Sequence, residues 1–201
     1  MVIPVVSSAA LAIRMERFGA DAVIAEGTES GGHVGEMTTM TLVPKVVDSV
    51  NIPVIAAGGI ADGRQLAAAF ALGAIGVQMG TCLLASEECP IHPAYKAAIL
   101  KAKDNDTIVT GRIAGTPVRV LKNEMSREYV KQEKVGADKM ELEKYTLGSL
   151  RKAVFDGDTM NGSLMAGQVA GQINEIRPLK DIFADIYEGY KKVVGCLSDA
   201  K

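Results

Sequence analysis

One stretch of the sequence combines a flexible backbone with a side chain that can transfer protons. Residues 26–40 read Glu-Gly-Thr-Glu-Ser-Gly-Gly-His-Val-Gly-Glu-Met-Thr-Thr-Met and follow an apolar run. Gly31, Gly32 and Gly35 can adopt positive φ and let the backbone approach a flat or anionic ligand closely. His33 lies among these glycines, and its imidazole exchanges a proton near neutral pH. The pattern favours a ligand-binding loop over the alternative, a structural histidine that covers the end of a sheet.

Two later apolar runs also end in residues that suit a ligand. Gly58 and Gly59 follow one run, and Gln78-Met79-Gly80-Thr81 ends the next. Backbone N–H groups at such ends, together with a hydroxyl, bind phosphate without lysines. One glycine turn is typical of any tight connection, but two on successive strands favour a phosphate site.

The acidic residues near these turns have two interpretations each. Glu26, at a strand end, can accept a hydrogen bond from a ring N–H, or it can be a solvated carboxylate. Asp62 fits a helix N-cap better than a catalytic acid. The sequence predicts no metal site, because the three cysteines lack paired spacing and are expected to be free thiols.

Strands and helices alternate in the first part of the chain and position these residues. Continuous apolar runs predict parallel strands that are buried on both faces, and they cover residues 2–6, 22–25, 52–57 and 76–79. Ser7-Ser8 predicts the cap of a helix with Leu11, Met15 and Phe18 on its apolar face. A second apolar stripe contains Val43, Val46, Val47 and Val50.

The strand order is open between a doubly wound sheet and a barrel, and the special residues at strand ends favour the barrel. Two βαβα blocks of similar sequence occupy residues 1–92, so an α/β fold of four parallel βα units is expected, the C-terminal half of a (β/α)8 TIM barrel. Residues 93–201 are expected to form a helical and loop extension that packs on the barrel and is not an independent domain. Its helices are predicted at 93–103, 123–135, 142–155 and 179–197.

The charge balance narrows the expected partners. A net charge of −2 predicts no nucleic-acid partner, and no segment is long and apolar enough to predict a membrane span. Cytoplasmic localisation is therefore expected. The one basic cluster, Arg112, Arg119, Lys122 and Arg127, is either a solvated face or a docking site for an acidic carrier. Because the chain opens inside an apolar run, we expect that the front of a longer protein is missing and that exposed strand edges favour a homodimer or other homo-oligomer.

Three motifs occur in the order found in a known family. They are Ala25-Glu26-Gly27-Thr28-Glu29-Ser30-Gly31-Gly32-His33-Val34-Gly35, Ile55-Ala56-Ala57-Gly58-Gly59-Ile60 and Gln78-Met79-Gly80-Thr81. With them the sequence resembles the C-terminal part of the FMN-dependent (β/α)8-barrel family of nitronate monooxygenases (2-nitropropane dioxygenases) and enoyl-acyl carrier protein reductase II. Residues 38–43, 117–123 and 163–168 resemble the reductase branch.

The resemblance implies FMN as cofactor and NADH or NADPH as hydride donor in the reduction of trans-2-enoyl-acyl carrier protein during fatty acid synthesis. It places the FMN phosphate against Gly59, Gly80 and Thr81, and it assigns proton handling to His33. The remaining cofactor-binding residues are expected to be Glu26, Gly31, Gly32, Gly58, Gln78 and Met79. Two hypotheses compete with this one: a nitronate monooxygenase, and a truncated half-barrel without catalytic activity.

Overall fold

A computed structural model describes residues 1–199, which form two compact units. The first unit comprises Met1–Ser30, Val34–Met79 and the chain from Pro178 onward, and the second comprises Gly31–His33 and Gly80–Arg177. The chain passes from the first unit to the second at Gly80 and returns to the first at Pro178. The predicted domain boundary at residue 92 stays a prediction. Whether residues 93–201 depend on the preceding part for folding stays a prediction.

The described residues contain seven strands and nine α-helices. The strands are β1 (Val5–Val6), β2 (Val23–Glu26), β3 (Gly32–His33), β4 (Val54–Ala57), β5 (Gly76–Gln78), β6 (Thr107–Thr110) and β7 (Val118–Leu121). The helices are α1 (Ala9–Arg17), α2 (Thr39–Val47), α3 (Gly63–Ala71), α4 (Thr81–Leu84), α5 (Pro93–Lys101), α6 (Glu124–Lys134), α7 (Lys139–Thr146), α8 (Ser149–Arg151) and α9 (Leu179–Asp199). A π-helix at Lys152–Asp156 and a 3₁₀-helix at Gln168–Gln172 complete the set.

The first unit contains a four-stranded parallel sheet with the order β1-β2-β4-β5. Its central strands are aligned so that Ile24 pairs with Ile55, and Ala56 pairs with Val77. Val43 and Val46 of α2 are fully buried in its core, as the apolar stripe predicts. The predicted α/β class with a parallel sheet and covering helices is therefore confirmed.

The caps of the first unit follow the sequence patterns, with one exception. The Ser8 hydroxyl accepts a hydrogen bond from the Leu11 amide at 3.2 Å and caps α1. Asp62 caps α3 in a reciprocal capping box with Gln65. The prediction that Phe18 lies on the buried face of α1 is wrong: Phe18 is 73% exposed at the C-cap, and its ring lies beside the guanidinium of Arg14.

The second unit contains an antiparallel sheet with the order β3-β7-β6, which the sequence did not predict. Gly32 pairs with Arg119, and His33 pairs with Val118, so part of the glycine-rich loop is a short strand. Farther along β7, Val120 forms an antiparallel bridge with Met165. These pairings join segments that are far apart in sequence, and the strands are too short for an alternating pattern to reveal them.

One predicted helix of the second unit is divided in the structure, and the helical segments Thr81–Leu84 and Gln168–Gln172 were not predicted. The single helix expected over 142–155 is divided at Gly148, which has a φ of +72° and separates α7 from α8. A left-handed residue ends a helix because it turns the backbone out of the helical path. Among the helices in residues 1–199, none has the length and apolar character needed to cross a membrane.

Candidate functional site

In the first unit, the predicted cofactor residues lie at the carboxyl ends of three adjacent strands. Glu26 pairs with Ala57, and Ala57 pairs with Gln78, so β2, β4 and β5 end at the same level of the sheet. Glu26 is half-buried and Gln78 is exposed. Ligands of parallel α/β folds bind outside the carboxyl ends of the strands, so this edge of the sheet is where a ligand is expected.

The turn after β4 is held against the loop after β2 by close backbone contacts. Gly58 has a φ of +92°, and a Cβ at this position would lie 2.8 Å from the carbonyl oxygen of Gly27. The hydroxyl oxygen of Thr39 lies 2.9 Å from the Gly58 carbonyl oxygen and 2.9 Å from a Glu29 carboxylate oxygen, and these two acceptors share its single proton. Backbone conformation and packing are therefore sufficient to require glycine at position 58.

Glu29 has a structural role that the sequence did not reveal. Both of its carboxylate oxygens accept from the backbone N–H of Thr39 at 3.0 Å, and one also accepts from the Thr39 hydroxyl at 2.9 Å. Thr38, the N-cap of α2, forms no side-chain cap bond. A carboxylate ten residues earlier in the chain thus stabilises the amino end of this helix.

The amino end of α3, which follows the Gly58–Gly59 turn, is capped by its own sequence. The Asp62 carboxylate accepts from the Arg64 and Gln65 amides at 2.8 and 3.0 Å. Partial burial raises the pKa of this carboxyl, but hydrogen bonds from Arg64 and Gln65 and the charge of Arg64 outweigh it, so the pKa is lowered. The ionised Asp62 already occupies the helix terminus. The prediction that Asp62 is an N-cap is confirmed.

In the second unit, the glycines before His33 are positioned by the segment around residue 166. A Cβ on Gly31 would lie 2.7 Å from backbone atoms of Ala166 and Gly167, and Gly32 has a φ of +81°. His33 is exposed and stands opposite Val118 in the sheet. The loop therefore presents the imidazole to the surface of its unit while its glycines pack inward.

Thr81 meets the same segment from another side. This residue is 7% exposed, and its hydroxyl oxygen accepts a buried hydrogen bond from the Gly167 amide at 2.8 Å. The hydroxyl proton remains available for a further acceptor. A Cβ on the preceding Gly80 would have no atom within 4 Å, so there is open space beside this backbone. The structure thus brings Gly31 and Thr81 together on Gly167, a residue to which the sequence assigned no contact.

Other residues singled out in the sequence have structural positions. His92 accepts a hydrogen bond from the Ala94 amide at 3.1 Å and caps the start of α5. Arg119 does not belong to a solvated basic cluster: it is 6% exposed and donates to the Thr107 hydroxyl at 3.1 Å. The cysteines are free, and burial raises the pKa of the Cys82 thiol.

Comparison with known proteins decides the family. The family model for nitronate monooxygenase matches residues 1–189. The chain belongs to this family. Its members are oxidoreductases, so the predictions of the family and of an enzyme are confirmed.

Within the nitronate monooxygenase family, the chain is similar to proteins with different names. FabK from Thermotoga maritima, an enoyl-acyl carrier protein reductase II, is 56% identical with a TM-score of 0.95. The match covers 98% of this chain and 63% of the FabK chain. A nitroalkane oxidase from Streptomyces ansochromogenes is 30% identical with a TM-score of 0.83. The match covers 97% of this chain and 58% of the oxidase chain. An octahydroindene-carboxyl-CoA dehydrogenase of Rhodococcus jostii is 34% identical over 92% of this chain and 63% of its own length.

The chain spans about half the length of the curated relatives it matches.

Proposed function

We propose that this chain belongs to an FMN-dependent enzyme that reduces trans-2-enoyl thioesters with NADH or NADPH. The observation that carries this proposal is the 56% identity to FabK over 98% of the chain, against 30% identity to the nitroalkane oxidase. We further propose that the parallel sheet is half of a (β/α)8 barrel, followed by the extension of residues 93–201.

The environment of Thr81 supports an FMN phosphate contact. Because the Gly167 amide donates to the Thr81 oxygen, the hydroxyl proton is left to donate to a phosphate oxygen. Gly80 leaves space for a ligand to approach the backbone. We assign the phosphate contacts to Gly59, Gly80 and Thr81. The remaining assignments are those of the sequence: Glu26, Gly31, Gly32, Gly58, Gln78 and Met79 line the cofactor.

His33 is proposed to hold and transfer the proton. When bound, FMN supplies hydride transfer between the nicotinamide and the β-carbon of the enoyl thioester. The imidazole of His33 is exposed on a short strand whose backbone is paired with β7, so its position is defined while a ring nitrogen can reach a substrate. This ring would hydrogen-bond the thioester carbonyl or deliver a proton to the α-carbon.

We propose that the substrate travels on an acyl carrier protein in the cytoplasm and that the enzyme is a homodimer or other homo-oligomer. We assign docking of the acidic carrier to the exposed cations of the predicted cluster, Arg112, Lys122 and Arg127. Arg119 does not, because its guanidinium is buried in the sheet.

The test is His33→Ala in the full-length protein that contains this chain. We expect the variant to retain FMN, as measured by flavin absorbance after gel filtration, and to lose about 10²- to 10⁴-fold in NADH oxidation with a crotonyl thioester. His92→Ala is the control for the loss of a histidine, since the His92 side chain caps α5, and it should retain turnover. Full activity of the His33 variant would remove this residue from the mechanism.

The second candidate is a nitronate monooxygenase, which the family model and the nitroalkane oxidase favour. The two functions differ in whether they require oxygen. A reductase consumes NADH with crotonyl thioester under anaerobic conditions, whereas a monooxygenase requires oxygen and a nitronate. Colourless oligomeric protein on gel filtration would instead favour the half-barrel without activity.

A further inference from the structure

The second unit contains a groove that shares only Lys122 and Arg127 with the docking cluster of the proposed function. It has a volume of about 1130 Å³ and lies between α5, the end of β7, α6, α7 and the loop at 159–164. Six cationic side chains line it: Lys101, Lys122, Arg127, Lys131, Lys144 and Lys152. Three acidic side chains, Asp106, Glu124 and Glu128, also line it, so positive charge is in excess. This excess contrasts with the net charge of −2 for the whole chain.

Several of these cations are available for a ligand. Lys131 pairs with Glu128 at 3.5 Å, and the Lys122 ammonium donates to the Asn105 carbonyl. Within residues 1–199, Lys101, Arg127 and Lys144 form no ion pair, and all three are exposed. Flexible cations without internal partners around a concavity attract a multiply charged anion.

The floor of the groove is apolar. Leu121, Met125 and Leu164 contribute to it and are themselves almost fully buried in the core of the unit. Tyr145 adds an aromatic ring at the side, held edge-to-face against Tyr129 with ring centroids 6.4 Å apart. An apolar floor with one aromatic wall suits a flat ring, and small-molecule pockets of roughly 300–1,000 Å³ have this composition.

We propose that this groove binds the adenosine polyphosphate part of a nucleotide ligand, with the purine on the apolar floor and the phosphates on the rim cations. A coenzyme A thioester and NADPH both carry such a group. An acidic protein segment fits less well, because its carboxylate side chains would contact the rim cations but not the apolar floor of Leu121 and Met125.

The groove lies within reach of the histidine strand. Lys122 follows Val118 by four residues on one extended segment, and Val118 pairs with His33. At about 3.3 Å per residue, this separation is about 13 Å. A nucleotide bound in the groove could thus belong to a molecule whose other end reaches His33. Where the ligand is NADPH, the inference rests on the proposed function and adds the place where the nucleotide binds. Its test requires neither FMN nor turnover.

The test is calorimetric titration of the 201-residue chain with ADP, coenzyme A and NADPH at low salt. Adenosine lacks the phosphates and pyrophosphate lacks the ring, so both should bind more weakly than ADP. The double variant Arg127→Gln/Lys144→Gln should weaken ADP binding about ten-fold or more, because it removes two rim cations. Lys45→Gln is the matched control: it removes an exposed cation from α2 in the first unit and should leave the affinity unchanged.

Each result of these titrations either supports or overturns nucleotide binding in the groove. Tighter binding of coenzyme A or of NADPH than of ADP supports the proposal and identifies the source of the nucleotide. Absence of ADP binding, or equal affinity in the double variant, overturns it. Saturable binding of a poly-glutamate peptide in place of ADP overturns it as well and makes the groove a docking site for an acidic protein. These results do not depend on enoyl reductase activity, so failure of the proposed function remains distinguishable.

Discussion

The parallel sheet of the first unit pairs segments that follow one another in the chain, whereas the antiparallel sheet of the second unit pairs distant ones. Val5 pairs with Ile24, and Ile24 pairs with Ile55. In the second unit, by contrast, Gly32 pairs with Arg119 and Val120 pairs with Met165. Local patterns of apolar runs and caps therefore describe the first sheet, while the second depends on contacts whose partners no local pattern identifies.

The same contrast applies to the glycines of the predicted site. Gly58 packs on Gly27 in a neighbouring loop of its own sheet. Gly31 packs on the backbone of Ala166 and Gly167, more than a hundred residues away. A glycine in a binding motif can therefore be required by packing as well as by the ligand, and only the structure identifies the packing partner.

If distant contacts dominate the second unit, the largest loss of stability should come from Gly31→Ala. The added Cβ would lie 2.7 Å from rigid backbone, and relief of such overpacking costs about 1–3 kcal/mol. Urea unfolding followed by circular dichroism measures the change. Gly80→Ala is the control in the same unit, since its Cβ meets nothing within 4 Å. Equal stabilities of the two variants would contradict the packing role of Gly31.

An intermediate loss is expected for Arg119→Met. This change keeps the approximate length of a buried side chain but removes its hydrogen bond to Thr107, at a cost of about 1–2 kcal/mol. Arg127→Met removes an exposed arginine and should change the free energy of unfolding by less than about 0.5 kcal/mol. A similar cost for both would return Arg119 to the solvated basic cluster that the sequence allowed.

The smallest effect should come from a local cap in the first unit. Asp62→Ala removes the cap of α3 and should cost about 1 kcal/mol at pH 7. Because the folded pKa of Asp62 is lowered, its ionic stabilisation is complete above the unfolded value of about 3.9 and is lost as the pH falls through the folded value. The difference in the free energy of unfolding between Asp62→Ala and the wild type should therefore become smaller below about pH 4. Asp62→Asn keeps a capping oxygen without charge and should lose less at neutral pH.

Sequence patterns predicted those features whose causes lie within a few residues. The Ser8 and Asp62 caps depend on amides two or three positions away, and the buried Val43 and Val46 share one helix face. Phe18 was misassigned because helical spacing extends past the actual end of α1. The role of Glu29 was missed because a carboxylate ten residues before a helix matches no capping pattern.

For the same reason, the sequence predicted one part of the candidate site, the strand ends, but not the contacts around Thr81. Apolar runs located the strand ends at Glu26, Ala57 and Gln78, since the parallel register aligns them. The surroundings of Thr81 could not be predicted, because its hydrogen-bond donor, Gly167, lies 86 positions later.

The hydrogen bond between Gly167 and Thr81 has a consequence for engineering this family. Residues 166–167 contact the glycine loop on one side and the threonine hydroxyl on the other. These three segments therefore depend on one another for their positions. A chimera that takes only the glycine loop from a relative would contain His33 of one parent and the backbone of residues 166–167 of the other. Crossover points should keep residues 31, 81 and 167 from the same parent.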